Sequence, residues 1–385
     1  MSRPNGTAGT PDSTGTPDGT AGTPDAAAAQ SAAAAERDAG GVAGARTKTV
    51  VVAGASAGIG RAVAQAYAQR GHRLVLLARG AAGLAAAERD CRGLGATGVL
   101  AVECDVADAD AVDAAAQAAV DRFGAIDVWI NNAMVSVFAP TWEITAAEFR
   151  RVTEVNYLGT VHGTLAALRH MRPRGAGTIV QIGSALAYRG IPLQSAYCAS
   201  KHAIQGFVDS LRPELLREYP GVRVTMVQMP AMNTPQFSWV RTRLPRHPQP
   251  VPPIFQPEVA ATAIMWAADH APREVNVGGP TLRARLGNIV APGLLDRYLA
   301  RSGYDAQQTD EKIDLSQWRD NVDKPADDDA DRGAHGVFDD IARTRSYALW
   351  AVTHKPAVGA LAAGALGLAA IALNRLTSNR LSSNS

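Results

Sequence analysis

Thr49-Val50-Val51-Val52-Ala53-Gly54-Ala55-Ser56-Ala57-Gly58-Ile59-Gly60 is the stretch from which the fold can be read. A β-branched apolar run of strand length, Thr49 to Ala53, enters a glycine-rich turn, and Arg61 to Arg70 then reads as a helix stopping at Gly71. Strand, glycine turn and helix in that order form the unit that binds a dinucleotide. Gly54 permits the tight turn, Gly58 lets the backbone approach a pyrophosphate, and Gly60 allows the helix to pack close to the strand. Ser56 and Ile59, inside the same turn, join the glycines as candidate cofactor contacts. The helix N-terminus adds free N–H groups and a partial positive charge for the phosphates. The spacing is G-x-x-x-G-x-G, not the commoner G-x-G-x-x-G.

A second feature lies far downstream. Tyr197-Cys-Ala-Ser-Lys201 sets a phenol and an ammonium four residues apart, on one face of a helix. A free tyrosine ionises near pH ~10, too high for a general base at neutral pH, and a fixed cation beside it lowers that value. Alone, this spacing is common in helices. Its weight comes from the upstream turn, which supplies a cofactor for such a base to serve.

Together, Gly54-x-x-x-Gly58-x-Gly60 and Tyr197-x-x-x-Lys201 resemble the short-chain dehydrogenase/reductase family, in its short single-domain branch. Other segments match in order. Asn131-Asn132-Ala133 follows the apolar run Val128 to Ile130, with Met134 where the family carries a glycine; Asn156 stands at the family's active-site asparagine; Ser184 ends the run Thr178 to Ile182. The resemblance covers about residues 47–290. It implies hydride transfer with Tyr197 as acid/base, Ser184 holding the substrate oxygen, and Lys201 tuning Tyr197 while gripping the nicotinamide ribose. Asn156 is expected to hold a water that relays protons. Asn132 belongs to the cofactor set. Asp105 and Val106 resemble the pair that brackets the adenine. Pro230-Ala231 and Thr234 resemble the elements beside the carboxamide, although Ala231 replaces the usual glycine.

Cofactor choice is read at the end of the run Arg73 to Ala78. An acidic residue there serves NAD by hydrogen-bonding the adenosine ribose. This chain has Ala78 and then Arg79, which suits a 2′-phosphate, and Arg61 is a second candidate cation. The expected cofactor is therefore NADP, with NAD as the lesser alternative.

Alternating strands and helices from Thr49 to about His270 predict an α/β fold: a doubly wound parallel sheet, the Rossmann arrangement, with helices on both faces. Predicted helices are 58–70, 81–94, 108–123, 146–171, 195–219 and 257–270. The proline-rich segment Pro230 to Pro257 is expected to close over the substrate. Phe237, Trp239 and Phe255 are candidates to line an apolar pocket there; Arg241, Arg243 and Arg246 either attract an anionic substrate or are simply solvated. The division expected is a low-complexity tail over 1–46, a catalytic domain over 47–290, an acidic extension over 291–355 and an apolar helix over 356–374. Thr-Pro-Asp recurs at positions 10, 16 and 23 of the tail, which lacks the apolar side chains to offset ordering.

The tail lacks a signal peptide's apolar core, and three cysteines form no C-x-x-C pair, so a cytoplasmic setting without a metal site is expected. A net charge of +2 gives no case for nucleic acid. The run 357–373 is uncharged and spans ~26 Å as a helix, against ~30 Å of bilayer hydrocarbon. A membrane tail and a buried docking helix both stay open. By resemblance the active-site helices pair copies into a homodimer or homotetramer. The leading function is an NADP-dependent enzyme interconverting a secondary alcohol and a carbonyl of a small molecule. The alternatives are a non-catalytic NADP-binding sensor or assembly protein, and a lipid-linked 3-oxoacyl or ketone reductase.

Overall fold

A computed structural model describes residues 46–356 and 358. Its centre is a seven-stranded, wholly parallel sheet. The strands are β1 (Thr49–Ala53), β2 (Arg73–Ala78), β3 (Gly98–Glu103), β4 (Val128–Asn131), β5 (Gly177–Ser184), β6 (Val222–Met229) and β7 (Glu274–Asn276), in the spatial order β7-β6-β5-β4-β1-β2-β3. Strand order reverses at β1, between β2 and β4. A parallel doubly wound sheet opens its ligand crevice beyond the strand carboxyl ends at such a point. The glycine turn leaves β1 there.

Both faces of the sheet are covered, which is why its strands read as continuous apolar runs and not as alternating ones. Helices α1 (Gly58–Ala68), α2 (Ala81–Gly93) and α7 (Pro257–His270) bury Tyr67, Leu84 and Ile264 against one face. On the other, α3 (Ala109–Phe123), α5 (Gly159–Arg174) and α6 (Ser195–Glu218) pack around Trp129, Ile179 and Ile204. The doubly wound expectation holds, but the single helix predicted over 146–171 is broken. It consists of α4 (Ala146–Val152), a π-helical turn at Thr153–Leu158, and α5. Nothing in the residue pattern announces the extra residue of a π turn, which here carries Asn156 inward to full burial.

The acidic extension folds onto the catalytic core and is part of the same compact unit. It begins after α8 (Gly279–Val290) with α9 (Pro292–Ser302). Gln308–Lys312 then pairs antiparallel with Arg246–Pro248. Residues 313–346 run irregularly over the core before α10 (Tyr347–Thr353), whose Leu349 is buried. Ion pairs join this segment to the proline-rich loop: Arg241 meets Asp320 and Asp323, and Arg246 meets Asp305. Phe338 packs with Phe237 and Phe138 in a small cluster of its own. Among the described residues no helix is long and apolar enough to cross a membrane. Of the predicted apolar run 357–373 only Val358 is described, and the low-complexity tail up to residue 45 also lies outside the described residues.

A buried polar network pins the centre of the sheet. Asn131 accepts from Trp129 Nε1 at 2.8 Å and donates to Gln181 and Thr164 at 3.0 and 3.1 Å, while Gln181 donates to Thr164 at 2.8 Å. Every member is partnered, the condition under which such a network rigidifies a core. Gly163 leaves the room it needs: a Cβ there would lie 2.2 Å from Asn131 Oδ1. Gly163→Ala is therefore expected to cost about 3 kcal/mol through overpacking. Denaturant unfolding at constant m-value measures it.

Candidate active site

The site grows from the carboxyl end of β1. Gly54 and Gly58 have left-handed backbone, with φ of +76° and +58°. Gly60 lies against the turn so closely that a Cβ would sit 1.9 Å from the Gly54 carbonyl oxygen. Asn132, beyond the end of β4, donates to that same oxygen at 3.0 Å. The glycine turn is thus tied both to its own helix and to the neighbouring strand end.

A cleft opens over this turn. Gly54, Ser56, Gly58 and Ile59 form its floor, Arg79, Asp105 and Val106 one end, and Asn132, Val155 and Thr234 its inner side. The shape suits a dinucleotide: side-chain-free backbone beneath a helix N-terminus, and an Asp–Val pair at the far end. Asp105 is held in place by the Ala107 N–H at 3.0 Å and by Arg151. Pro230 lines the adjoining chamber instead.

Ser184, the last residue of β5, and Tyr197, in the first turn of α6, bring their side chains near one another in the same chamber. Burial pushes the Tyr197 phenol up to about 12, against the lowering effect of Ser184. The expected lowering by Lys201 is not seen. Its Nζ stands 5.5 Å from the centre of the Tyr197 ring and donates to the Ile182 carbonyl at 2.7 Å. Burial in turn brings the Lys201 ammonium down to about 8. Helix spacing places the two side chains together, but only the backbone of β5 decides where the ammonium is held.

Asn156 reaches the same region in an unexpected capacity. Its amide accepts from Val135 N–H at 2.8 Å and donates to Val135 O at 2.9 Å and Ser200 Oγ at 3.1 Å. Through these bonds its side chain staples the segment after β4 to α6. Removing it leaves the buried Val135 N–H without its acceptor. Asn156→Ala should then destabilise the fold by about 3 kcal/mol, and thermal unfolding of the variant tests this.

A second, mostly apolar chamber adjoins the cleft and shares Ile59, Asn132, Met134, Thr234 and Gln236 with it. Ser184, Tyr197 and Lys201 line the chamber. Lys201 is its one charged lining residue among the described residues. Phe237 lines it as expected, along with Pro250, Val251 and Pro252. Trp239 instead lines the cofactor cleft, and Phe255 is buried in the core. The loop arginines face neither space: Arg241 and Arg246 bind carboxylates of the extension, and Arg243 binds Glu148 at 2.8 Å.

Comparison with known proteins agrees with this geometry. A profile of the family described as short chain dehydrogenase matches residues 48–244. The chain belongs to the short-chain dehydrogenase family. The uncharacterized oxidoreductase YxnA of Bacillus subtilis is 31% identical over 319 residues, covering 82% of this chain and 87% of that one. Human dehydrogenase/reductase SDR family member 7 is 38% identical over 181 residues, 46% of this chain and 53% of its own length. An alcohol dehydrogenase from the archaeon Thermococcus sibiricus, complexed with 5-hydroxy-NADP, superposes with a TM-score of 0.52 at 26% identity, over 60% of this chain and 96% of that one. Levodione reductase gives 0.52 at 27% identity, with the same coverage. This short-chain dehydrogenase is an oxidoreductase by family, and the family fold implies a nicotinamide dinucleotide.

Sequence reasoning missed the part of the site built by the extension. Tyr298, Leu299 and Gln307 line the chamber, and Asn321, Pro325, Ala326 and Asp327 line the cleft. No motif or periodicity marks these residues; long-range pairing of the extension with the loop brings them in.

Proposed function

We propose that the chain interconverts a secondary alcohol and a carbonyl on a moderately apolar small molecule, with Tyr197 as general acid/base. The observation that carries this is the grouping of Ser184, Tyr197 and Lys201 in the wall of an apolar chamber that adjoins the dinucleotide cleft. A bound nicotinamide supplies or accepts hydride there. Ser184 positions the substrate oxygen and stabilises charge developing on it. Tyr197 donates a proton to that oxygen in reduction and takes it back in oxidation. The chamber's apolar walls favour an uncharged substrate, and the loop arginines Arg241, Arg243 and Arg246 are committed to carboxylates. The bound NADP derivative in the archaeal relative supports the dinucleotide reading.

The finer expectation of NADP rested on Arg79 and Arg61. Arg79 donates to the carbonyls of Asn321, Val322 and Asp323. Arg61 is 1% exposed and binds Asp90, Asp331 and the carbonyls of Ser56 and Gly83. Arg61 is therefore closed to a 2′-phosphate in this arrangement, and Arg79 reaches the cleft with donors already engaged, so these two residues no longer single out NADP.

Tyr197→Phe should bind dinucleotide as the wild type does and lose at least about a thousandfold in turnover. A screen of NADH and NADPH oxidation against a panel of ketones measures this; near-wild-type turnover in the variant would exclude Tyr197 as the acid/base. With the phenol pushed to about 12, it stays protonated at neutral pH, ready for reduction. Alcohol oxidation needs the proton removed, so its rate should climb between pH 6 and 9 by roughly tenfold per unit. A flat oxidation profile over that range contradicts the assignment.

A further inference from the structure

The segment 320–333 of the extension crosses the Arg79 end of the cleft, and it engages several donors that a 2′-phosphate would use. The Arg79 guanidinium donates to Val322 O at 3.1 Å and to the carbonyls of Asn321 and Asp323. Arg61 is closed off by Asp90 and Asp331. The first N–H groups of α2, which follows the β2 end, are also engaged: Ala82 N–H donates to Asp328 O at 3.2 Å and Gly83 N–H to Asp327 O at 2.9 Å. These are the donors that a helix N-terminus offers an anion.

The same segment sets a carboxylate in the place it has cleared. Asp327 is 6% exposed and lines the cleft together with Arg79 and Ser56. Its carboxylate lies over Gly80 and Gly83: a Cβ on Gly80 would stand 2.0 Å from Oδ1, and one on Gly83 2.5 Å from Oδ2. Two glycines at the start of α2 thus make the seat for this side chain. No hydrogen bond to the carboxylate occurs among the described residues, so its oxygens are available to a donor in the cleft. The end of β2 itself carries Ala78 and no acidic residue.

We propose that Asp327, delivered by the C-terminal extension, supplies the acidic group that β2 lacks and selects NAD(H) over NADP(H). An adenosine ribose with free hydroxyls donates to this carboxylate, whereas a 2′-phosphate meets a like charge and finds Arg79 already engaged. The proposal rests on the nicotinamide-dependent reading above.

The test is direct binding to the purified full chain, followed by the fluorescence of NADH and NADPH on titration. Wild type should bind NADH at least about tenfold more tightly than NADPH. Asp327→Asn keeps the shape of the side chain and should narrow that ratio about tenfold or more, chiefly by tighter NADPH binding. Asp329→Asn removes one charge from an exposed position in the same segment, where Asp329 pairs with Arg319, and should leave the ratio unchanged. Tighter binding of NADPH by wild type overturns the proposal. So does an unchanged ratio in Asp327→Asn, or an equal change in both variants. Selective NADH binding without turnover of any carbonyl would retain the proposal and defeat the oxidoreductase reading. Binding of neither dinucleotide would defeat both.

Discussion

The close approach of Gly60 to the Gly54 carbonyl is the contact on which the remaining architecture depends. A side chain at Gly60 would occupy space within 1.9 Å of that oxygen. Only glycine therefore lets α1 start directly beneath the end of β1. From this one constraint follow a helix N-terminus aimed into the crevice, the position of Asn132 on the Gly54 carbonyl, and the floor of the dinucleotide cleft.

Around that floor the structure spends buried polar side chains on rigidity. Asn131, Gln181 and Thr164 knit the centre of the sheet, and Asn156 fastens the segment after β4 to α6. Partnered groups of this kind fix geometry where apolar packing alone would tolerate shifts. Burial also sets the electrostatics of the Tyr197 and Lys201 side chains: it lifts the Tyr197 phenol to about 12 and lowers the Lys201 ammonium to about 8. Desolvation acts on both groups in the direction that favours neutrality. Their spacing on the helix therefore describes proximity, not the strength of their coupling.

The extension turns a family scaffold into a particular enzyme. Its ion pairs to Arg241 and Arg246 fasten it to the proline-rich loop, and its residues finish both the apolar chamber and the adenosine end of the cleft. Charged groups that look free in the sequence find partners through this contact. Arg79, Arg241 and Arg246 are the clearest cases, since their partners lie some sixty to two hundred and forty positions away.

What the sequence determined by itself is local and periodic. The run Thr49 to Gly60 declares a strand, a turn and a helix, since β-branching and glycine spacing act within a few residues; Tyr197 and Lys201 share a face through the helix repeat alone. Alternating strands and helices carried the doubly wound sheet and the place of Ser184 at a strand end. Tertiary structure decided everything that depends on partners remote in the chain. The π turn that buries Asn156, the carbonyl that holds Lys201, the carbonyls that hold Arg79 and the carboxylate of Asp327 in the cleft belong to this class. Hydrogen bonds and charges act over a few ångströms of space, and which groups come within that range is settled only when the whole chain has packed.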